Sequence, residues 1–230
     1  QTFGRQANVG FSGGFGTLKL GRSFTAFDDI NGAANSGFDS ALSASKVWLN
    51  SYAGEAAAQI HYTTPTFSGI TAAVSTQLSG NTATGNAAGG KTTAFNVTYA
   101  NGPVAAAVGY EDNKNTALAP AQKGTMLNGS YDLGKAKLKG SIYNTKSVAG
   151  AKINSYQFGA DVPMSSALTL SVCYAASKPN GGQTNSAFGV AAAYTLSKRT
   201  TVYAGIRAES VKAVNGAADR DLYAVGINHN

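Results

Sequence analysis

A chain of 230 residues with a formal net charge of +7 accommodates one large β-domain and does not require two. Gly is abundant at 28 and Pro scarce at 5, and no run reaches 18 apolar residues, which excludes a membrane-spanning helix but not a barrel of short alternating strands. The 18 basic residues are spread from Arg5 to Arg220 instead of forming a patch with aromatic partners, so nucleic acid is not the expected partner; the lone Cys173 excludes an intrachain disulfide and a Cys-based metal site. The start, Gln1-Thr2-Phe3-Gly4-Arg5, carries no signal-peptide pattern, so any export signal is expected to have been cleaved.

From residue 3 onward one pattern repeats: about ten residues of alternating hydrophobicity, a tight turn, ten more, then a longer polar connection. It predicts strands at 3–12, 17–24, 55–64, 69–78, 92–100, 104–112, 123–132, 136–146, 153–162, 167–177, 186–195, 200–210 and 220–229. The short connections, such as Gly13-Gly14-Phe15-Gly16, Asn101-Gly102-Pro103 and Leu133-Gly134-Lys135, hold residues that tight turns require. The longer ones are expected at 25–54, 79–91, 113–122, 147–152, 178–185 and 211–219. Short turns alternating with long loops are the signature of an outer-membrane barrel. The segment 25–54 stands apart, because about thirty residues without periodicity inside a domain are usually functional or disordered. It carries Asp28, Asp29 and Asp39.

One parity of the strands reads Ile60 and Tyr62; Ile70 and Val74; Phe95, Val97 and Tyr99; Leu127 and Tyr131; Tyr156 and Phe158; Val172 and Tyr174; Tyr223, Val225 and Ile227. Its strand interiors hold no charge, as lipid contact demands, since Lys or Arg near the bilayer midplane costs about 2–4 kcal/mol. The opposite parity carries Lys19, Gln59, His61, Asn96, Lys137, Lys139, Asp161 and Arg207 among small residues, which suits a water-filled lumen. Tyr62, Tyr99, Tyr131 and Tyr194 lie just before short turns and read as an interfacial aromatic girdle. Thirteen strands are odd where bacterial single-chain barrels are even, so strands are expected to be absent at the N-terminal side.

These residues resemble the Gram-negative general porins of the beta-proteobacterial kind. The likeness rests on the strand–turn–strand from Arg5 to Arg22, the hairpin Ile60-His61-Tyr62-Thr63-Thr64-Pro65-Thr66-Phe67-Ser68-Gly69, the repeated Tyr–turn rhythm, and Tyr223-Ala224-Val225-Gly226-Ile227-Asn228-His229-Asn230. It spans essentially the whole chain. The resemblance implies an all-β transmembrane antiparallel barrel of sixteen strands, thirteen of them present. It makes residues 1–230 a single barrel domain, usually trimeric, with 25–54 folded inward as the constriction loop. It implies passive diffusion of small hydrophilic solutes, no enzyme activity, no cofactor and no metal. The expected partners are outer-membrane lipid and lipopolysaccharide, with small anions as solutes.

Arg22 matches a family position whose basic side chain faces the loop carboxylates. Its parity is that of Leu18 and Leu20, so Gly21 is expected to kink or bulge the strand. Where relatives often carry another Arg, this chain has Glu55. The predicted constriction is therefore Arg22, Asp28, Asp29, Asp39 and Glu55, and the pore-lining cations are Lys19, Lys137, Lys139 and Arg207. A basic wall favours anions, so anion selectivity is expected. A substrate-specific channel and a surface adhesin or anchor are the alternatives. With only His61 and His229 present, and with Glu111-Asp112 and Asp219-Arg220-Asp221 read as solvated junctions, no nucleophile–base set or carboxylate pair points to catalysis.

Overall fold

A computed structural model describes residues 4–78, 90–114, 120, 122–212 and 218–229. The strands are β1 (Ala7–Gly13), β2 (Gly16–Phe24), β3 (Glu55–Thr63), β4 (Ile70–Gln77), β5 (Thr92–Asn101), β6 (Val104–Asn113) and β7 (Gln122–Asp132). There follow β8 (Lys137–Ser147), β9 (Lys152–Pro163), β10 (Leu168–Pro179), β11 (Asn185–Ser197), β12 (Thr200–Ser210) and β13 (Arg220–His229). They pair in chain order as one antiparallel sheet. All thirteen coincide with the expected segments. The first begins at Ala7, not residue 3, because Gly4 and Arg5 form a bend. Parts of the long connections, at 79–89, 115–119, 121 and 213–217, lie outside the described residues.

Two long connections are shorter than expected: 178–185 narrows to the five residues between Pro179 and Asn185, and 147–152 to the four between Ser147 and Lys152. The link 147–152 is a tight hairpin in which Ser147 N–H donates to the Ala151 carbonyl at 2.8 Å and Gly150 N–H to the Ser147 carbonyl at 3.0 Å. Gly150 supplies the left-handed φ of 85° that closes it.

Burial is inverted relative to a soluble domain. Phe158 is 57 % exposed while its neighbour Gln157 is 0 %, and Val172 is 40 % exposed beside Ser171 at 0 %. The same alternation runs through Phe95, Val97 and Tyr99 against Ala94 and Asn96. Leaving such side chains in water forfeits about 1.5–3 kcal/mol each, so this face is stable only against hydrocarbon. Across that face aromatic rings meet in tilted pairs, Phe95 with Tyr110 at 5.6 Å and Tyr156 with Tyr174 at 6.4 Å.

The chain divides into two compact units, each described by itself. The first holds residues 1–33, 51–127 and 143–152; the second holds 34–50, 128–142 and 153–230. The segment after β2 contributes to both.

Candidate functional site

In the first unit, Thr25–Ala33 and Ser51–Gly54 lie against the polar parity of β4 to β8. Ala26 N–H donates to Ser75 Oγ at 2.9 Å, and Asn96 Nδ2 returns a bond to the Ala26 carbonyl at 2.5 Å. Glu111 Oε1 accepts from Ala53 N–H at 3.0 Å, and the Tyr143 hydroxyl donates to the Ser51 carbonyl at 2.8 Å. Phe27 is buried between Tyr52 and Tyr143, with ring centroids 5.6 and 5.5 Å away. A loop with this many backbone bonds to the wall has a defined path, since each buried N–H and C=O must find a partner. Glu111, expected to be solvated, is a buried anchor. Its inward parity with Ala107 and Gly109 was the signal in the sequence that pointed it at the lumen.

In the second unit, Ala34–Asn50 lies on the same parity of β8 to β12. Gln157 Nε2 donates to the Ala34 carbonyl at 3.0 Å, and Gly37 N–H to Ser171 Oγ at 2.7 Å. Ala44 N–H meets Cys173 Sγ at 3.3 Å, and Leu49 N–H meets Ser177 Oγ at 3.0 Å. Small residues make the seat. A Cβ on Gly189 would stand 2.5 Å from the Leu42 carbonyl oxygen, and one on Gly109, in the first unit, would stand 2.6 Å from Ile30 Cδ1. These inward glycines are wall positions at which the loop comes closest, and pattern reading had passed over them as generic small residues.

Of the predicted carboxylates, Asp28, Asp29 and Asp39 lie on this loop, each held by a donor, while Glu55 opens β3. Asp28 Oδ1 accepts from the Tyr52 hydroxyl at 2.8 Å, whose oxygen in turn accepts from Asn31 Nδ2 at 2.5 Å. Asp29 Oδ2 lies 3.2 Å from His61 Nε2 and 3.4 Å from Asn96 Nδ2, while His61 Nδ1 lies 3.0 Å from the Phe24 carbonyl oxygen. Asp39, in the second unit and at φ 48°, accepts from Asn35 Nδ2 at 2.7 Å.

Arg22 corrects the expectation made of it. Its ion-pair partner among the described residues is Glu55, at 2.5 Å, and not a loop aspartate. The expected irregularity is present, but the extra residue falls on β3. Gly21 pairs with Gln59 and Ser23 with Ala56, two steps on β2 against three on β3. The bulge sets Ala57 and Ala58 across from Arg22, with Ala58 at φ 48° and Gly21 at φ 124°. Ser23 stays buried on the inward parity, so Arg22 keeps the parity of Leu18 and Leu20 and Glu55 meets it there. The guanidinium whose charge reaches Asp28 is instead Arg5, which also stacks 5.1 Å from the Phe24 ring centroid.

The four predicted lumen cations divide evenly. Lys139 Nζ lies 2.6 Å from Asp161 Oδ2 and donates to the Asn35 carbonyl at 3.1 Å. Arg207 lies 2.8 Å from Glu209, which Arg220 approaches to 2.7 Å, and it also donates to the Ala41 carbonyl. The Glu209 oxygens make no aligned hydrogen bond, so this contact is one of charge. Lys19, opposite His61 in the β2–β3 register, and Lys137 have no side-chain partner among the described residues.

Burial, foremost, raises the Asp28 pKa above its ordinary value of 3.8; Asp29 and Glu55 add to the rise, while the Tyr52 bond and Arg5 oppose it. The folded protein thus holds this proton more tightly than the unfolded chain does. The penalty for charging is absent below the ordinary value and sets in as pH rises through the raised one. Asp28→Asn, which keeps an acceptor for Tyr52, is expected to flatten the fall in stability between a pH below the ordinary carboxylate range and one above it. Thermal unfolding of the two proteins at both pH values measures this, and parallel pH dependence would refute the assignment.

A sheet greasy on one parity and polar on the other, with a loop bonded along the polar one, defines a membrane β-channel. The family model described as Gram-negative porin matches residues 1–214, and the chain belongs to that family. Outer membrane porin protein 32 of Delftia acidovorans is 27 % identical over 250 residues, covering 98 % of this chain and 69 % of that protein. Among solved structures, an anion-selective porin from Comamonas acidovorans superposes with a TM-score of 0.79 at 23 % identity, over 99 % of this chain and 78 % of that one. A loop-L8 deletion mutant of OmpT, an outer membrane protein of Vibrio cholerae, gives 0.78 at 15 % identity, over 98 % and 79 %. The chain is therefore an outer-membrane channel protein for passive diffusion and not an enzyme.

Proposed function

We propose that this porin is anion-selective, passing small anions and hydrophilic solutes beside the constriction loop 25–54, in a homotrimer embedded in outer-membrane lipid and lipopolysaccharide. One observation carries the selectivity. Every acid on the loop or the inward parity is engaged by a donor or a cation, whereas the ammonium groups of Lys19, Lys137 and the exposed loop residue Lys46 have no partner among the described residues. Free ammonium groups along a wet path with low-dielectric walls concentrate anions there. The likeness to a porin whose title calls it anion-selective supports the same reading, and a trimer form of OmpT supports the oligomer. Asp28, Asp29 and Asp39 are proposed to shape the neck, with Lys139 and Arg207 contributing as paired charges, whereas the Arg22–Glu55 pair stays on the outward parity of Leu18 and Leu20.

The test is a reversal potential across a planar bilayer in a potassium chloride gradient. The protein is expected to prefer chloride, and Lys19→Glu with Lys137→Glu to lower that preference about fivefold. That figure follows because a charge about 8 Å away at an effective dielectric of about 40 is worth about 1 kcal/mol. Cation preference in the unaltered protein would sink the proposal.

A further inference from the structure

At the long-loop end of the second unit, a cavity of about 430 Å³ opens between the loop and the wall. Lys46, Trp48 and Leu49 line it from the loop, and Asn185, Val211 and Arg220 from the ends of β11, β12 and β13. Among the described residues no carboxylate lines it. The loop side is built by a 3-10 turn, Ala44–Val47, which leaves Lys46 exposed and buries Val47 in an apolar cluster with Ala44, Cys173, Ala175 and Ala187. Trp48 packs on that cluster, and its Nε1 donates to the Tyr156 carbonyl at 3.2 Å. Leu49 N–H donates to Ser177 Oγ at 3.0 Å, so the indole is fixed at ring and backbone before any ligand arrives.

Arg220 keeps the inward parity of Leu222 and Ala224 and stands across from Glu209, whose Oε2 is 2.7 Å away. Glu209 is shared with Arg207, at 2.8 Å, so one carboxylate serves two guanidinium groups. Asp219, beside Arg220 in sequence, accepts from Val211 N–H at 2.8 Å, and Asp221 lies on the outward parity. The cations Lys46, Arg207 and Arg220 therefore outnumber Glu209 and Asp219. Small-molecule sites are typically cavities of about 300–1,000 Å³, mostly apolar, with a few convergent polar groups. Here the convergent groups are two cations, and the apolar lining includes one aromatic plane. A solute that satisfies both is flat, apolar over most of its surface, and carries one negative charge at its end.

We propose that this cavity is a binding site for small aromatic carboxylates at the mouth of the conducting path. The proposal deepens the anion-selective reading and rests on it, since the cavity lies on the inward parity. The carboxylate sits between the Lys46 ammonium and the Arg220 guanidinium, whose five N–H groups are not exhausted by Glu209. The ring lies against Trp48, because paired aromatic rings gain more than the area they bury. A conducting site must also release its solute, so the dissociation constant is expected to be on the order of 1 mM.

Trp48 is the one tryptophan of the chain, so its fluorescence reports on this site alone. The detergent-solubilised protein is titrated with 4-nitrobenzoate, whose ring quenches a stacked indole, and then with benzoate, acetate and benzyl alcohol as competitors. Quenching is expected to saturate, and benzoate to relieve it about tenfold more effectively than acetate or benzyl alcohol, each of which carries only half of the recognised chemistry. Lys46→Gln should weaken binding about threefold, and the charge-keeping Lys46→Arg should restore it. Calorimetric titration with benzoate reads the variants that lack the fluorophore. Trp48→Ala is expected to lose about tenfold in affinity and Trp48→Phe, which keeps a ring, to lose less, which separates stacking from disturbance of the loop. Quenching that rises without saturating would show collision with an accessible indole and overturn the proposal. Equal competition by acetate would remove the ring from the site, and equal competition by benzyl alcohol would remove the charge; either result overturns it too. Reversal potentials on the same preparation keep the two readings apart. Chloride preference without saturable quenching would defeat this inference alone, whereas saturable quenching without chloride preference would defeat the selectivity reading and leave the site standing.

Discussion

Replacing Gly189 by valine is expected to lower single-channel conductance and raise current noise. The new Cβ would sit 2.5 Å from the Leu42 carbonyl oxygen and 2.9 Å from Cys173 Sγ, closer than packed atoms come. Behind Gly189 the wall is a ladder, paired with Cys173 on β10 and Arg207 on β12, so the sheet resists and the loop yields into the lumen. Overpacking of this kind costs about 1–3 kcal/mol, enough to weaken the neighbouring loop anchors. Gly109→Val supplies an internal control. Its obstacle is the far end of the Ile30 side chain, which rotates away, so a smaller effect is expected. Unchanged conductance in correctly inserted Gly189→Val would show that Leu42 is not seated as described.

Lys139→Met is expected to destabilise the protein by about 2 kcal/mol. Full burial would give about 3–5 kcal/mol for breaking an ion pair from one side, and the 15 % and 16 % side-chain exposures of Lys139 and Asp161 reduce it. Among the described residues, the variant leaves Asp161 with the Ser171 hydroxyl alone and takes away the bond that Lys139 makes to the Asn35 carbonyl. Removing the opposite partner is expected to act differently. Asp161→Asn keeps the loop bond and unmasks the ammonium, so chloride preference should rise, at a stability cost of the same order because the Lys139 charge loses its carboxylate. Urea unfolding from lipid vesicles measures the first effect and reversal potentials the second. Equal stability of Lys139→Met and the unaltered protein would mean that water already reaches Asp161.

The strands were legible because a membrane imposes a period of two over about ten residues, and Phe95-Asn96-Val97-Thr98-Tyr99 has no other use for that alternation. Parity also told correctly that Gln59 and Asn96 face away from Ile60 and Phe95. Arg22 was misjudged because its partner is set by the bulge at Ala57–Ala58, and nothing in a run of three alanines announces an extra residue. Glu111 was misjudged for a related reason. At a strand end its solvation depends on whether a loop comes back over it, and Ala53 does.

From its amino acids alone the chain determined thirteen strands, a greasy parity, a polar parity and a long acidic insertion, because these follow from local alternation and chain length. The tertiary structure alone decided which lysines stay free, which acids are covered, and which glycines admit the loop. Those outcomes depend on groups far apart in sequence coming within about 3 Å, the range over which hydrogen bonds and ion pairs act, and alternation along one strand carries no record of that distance.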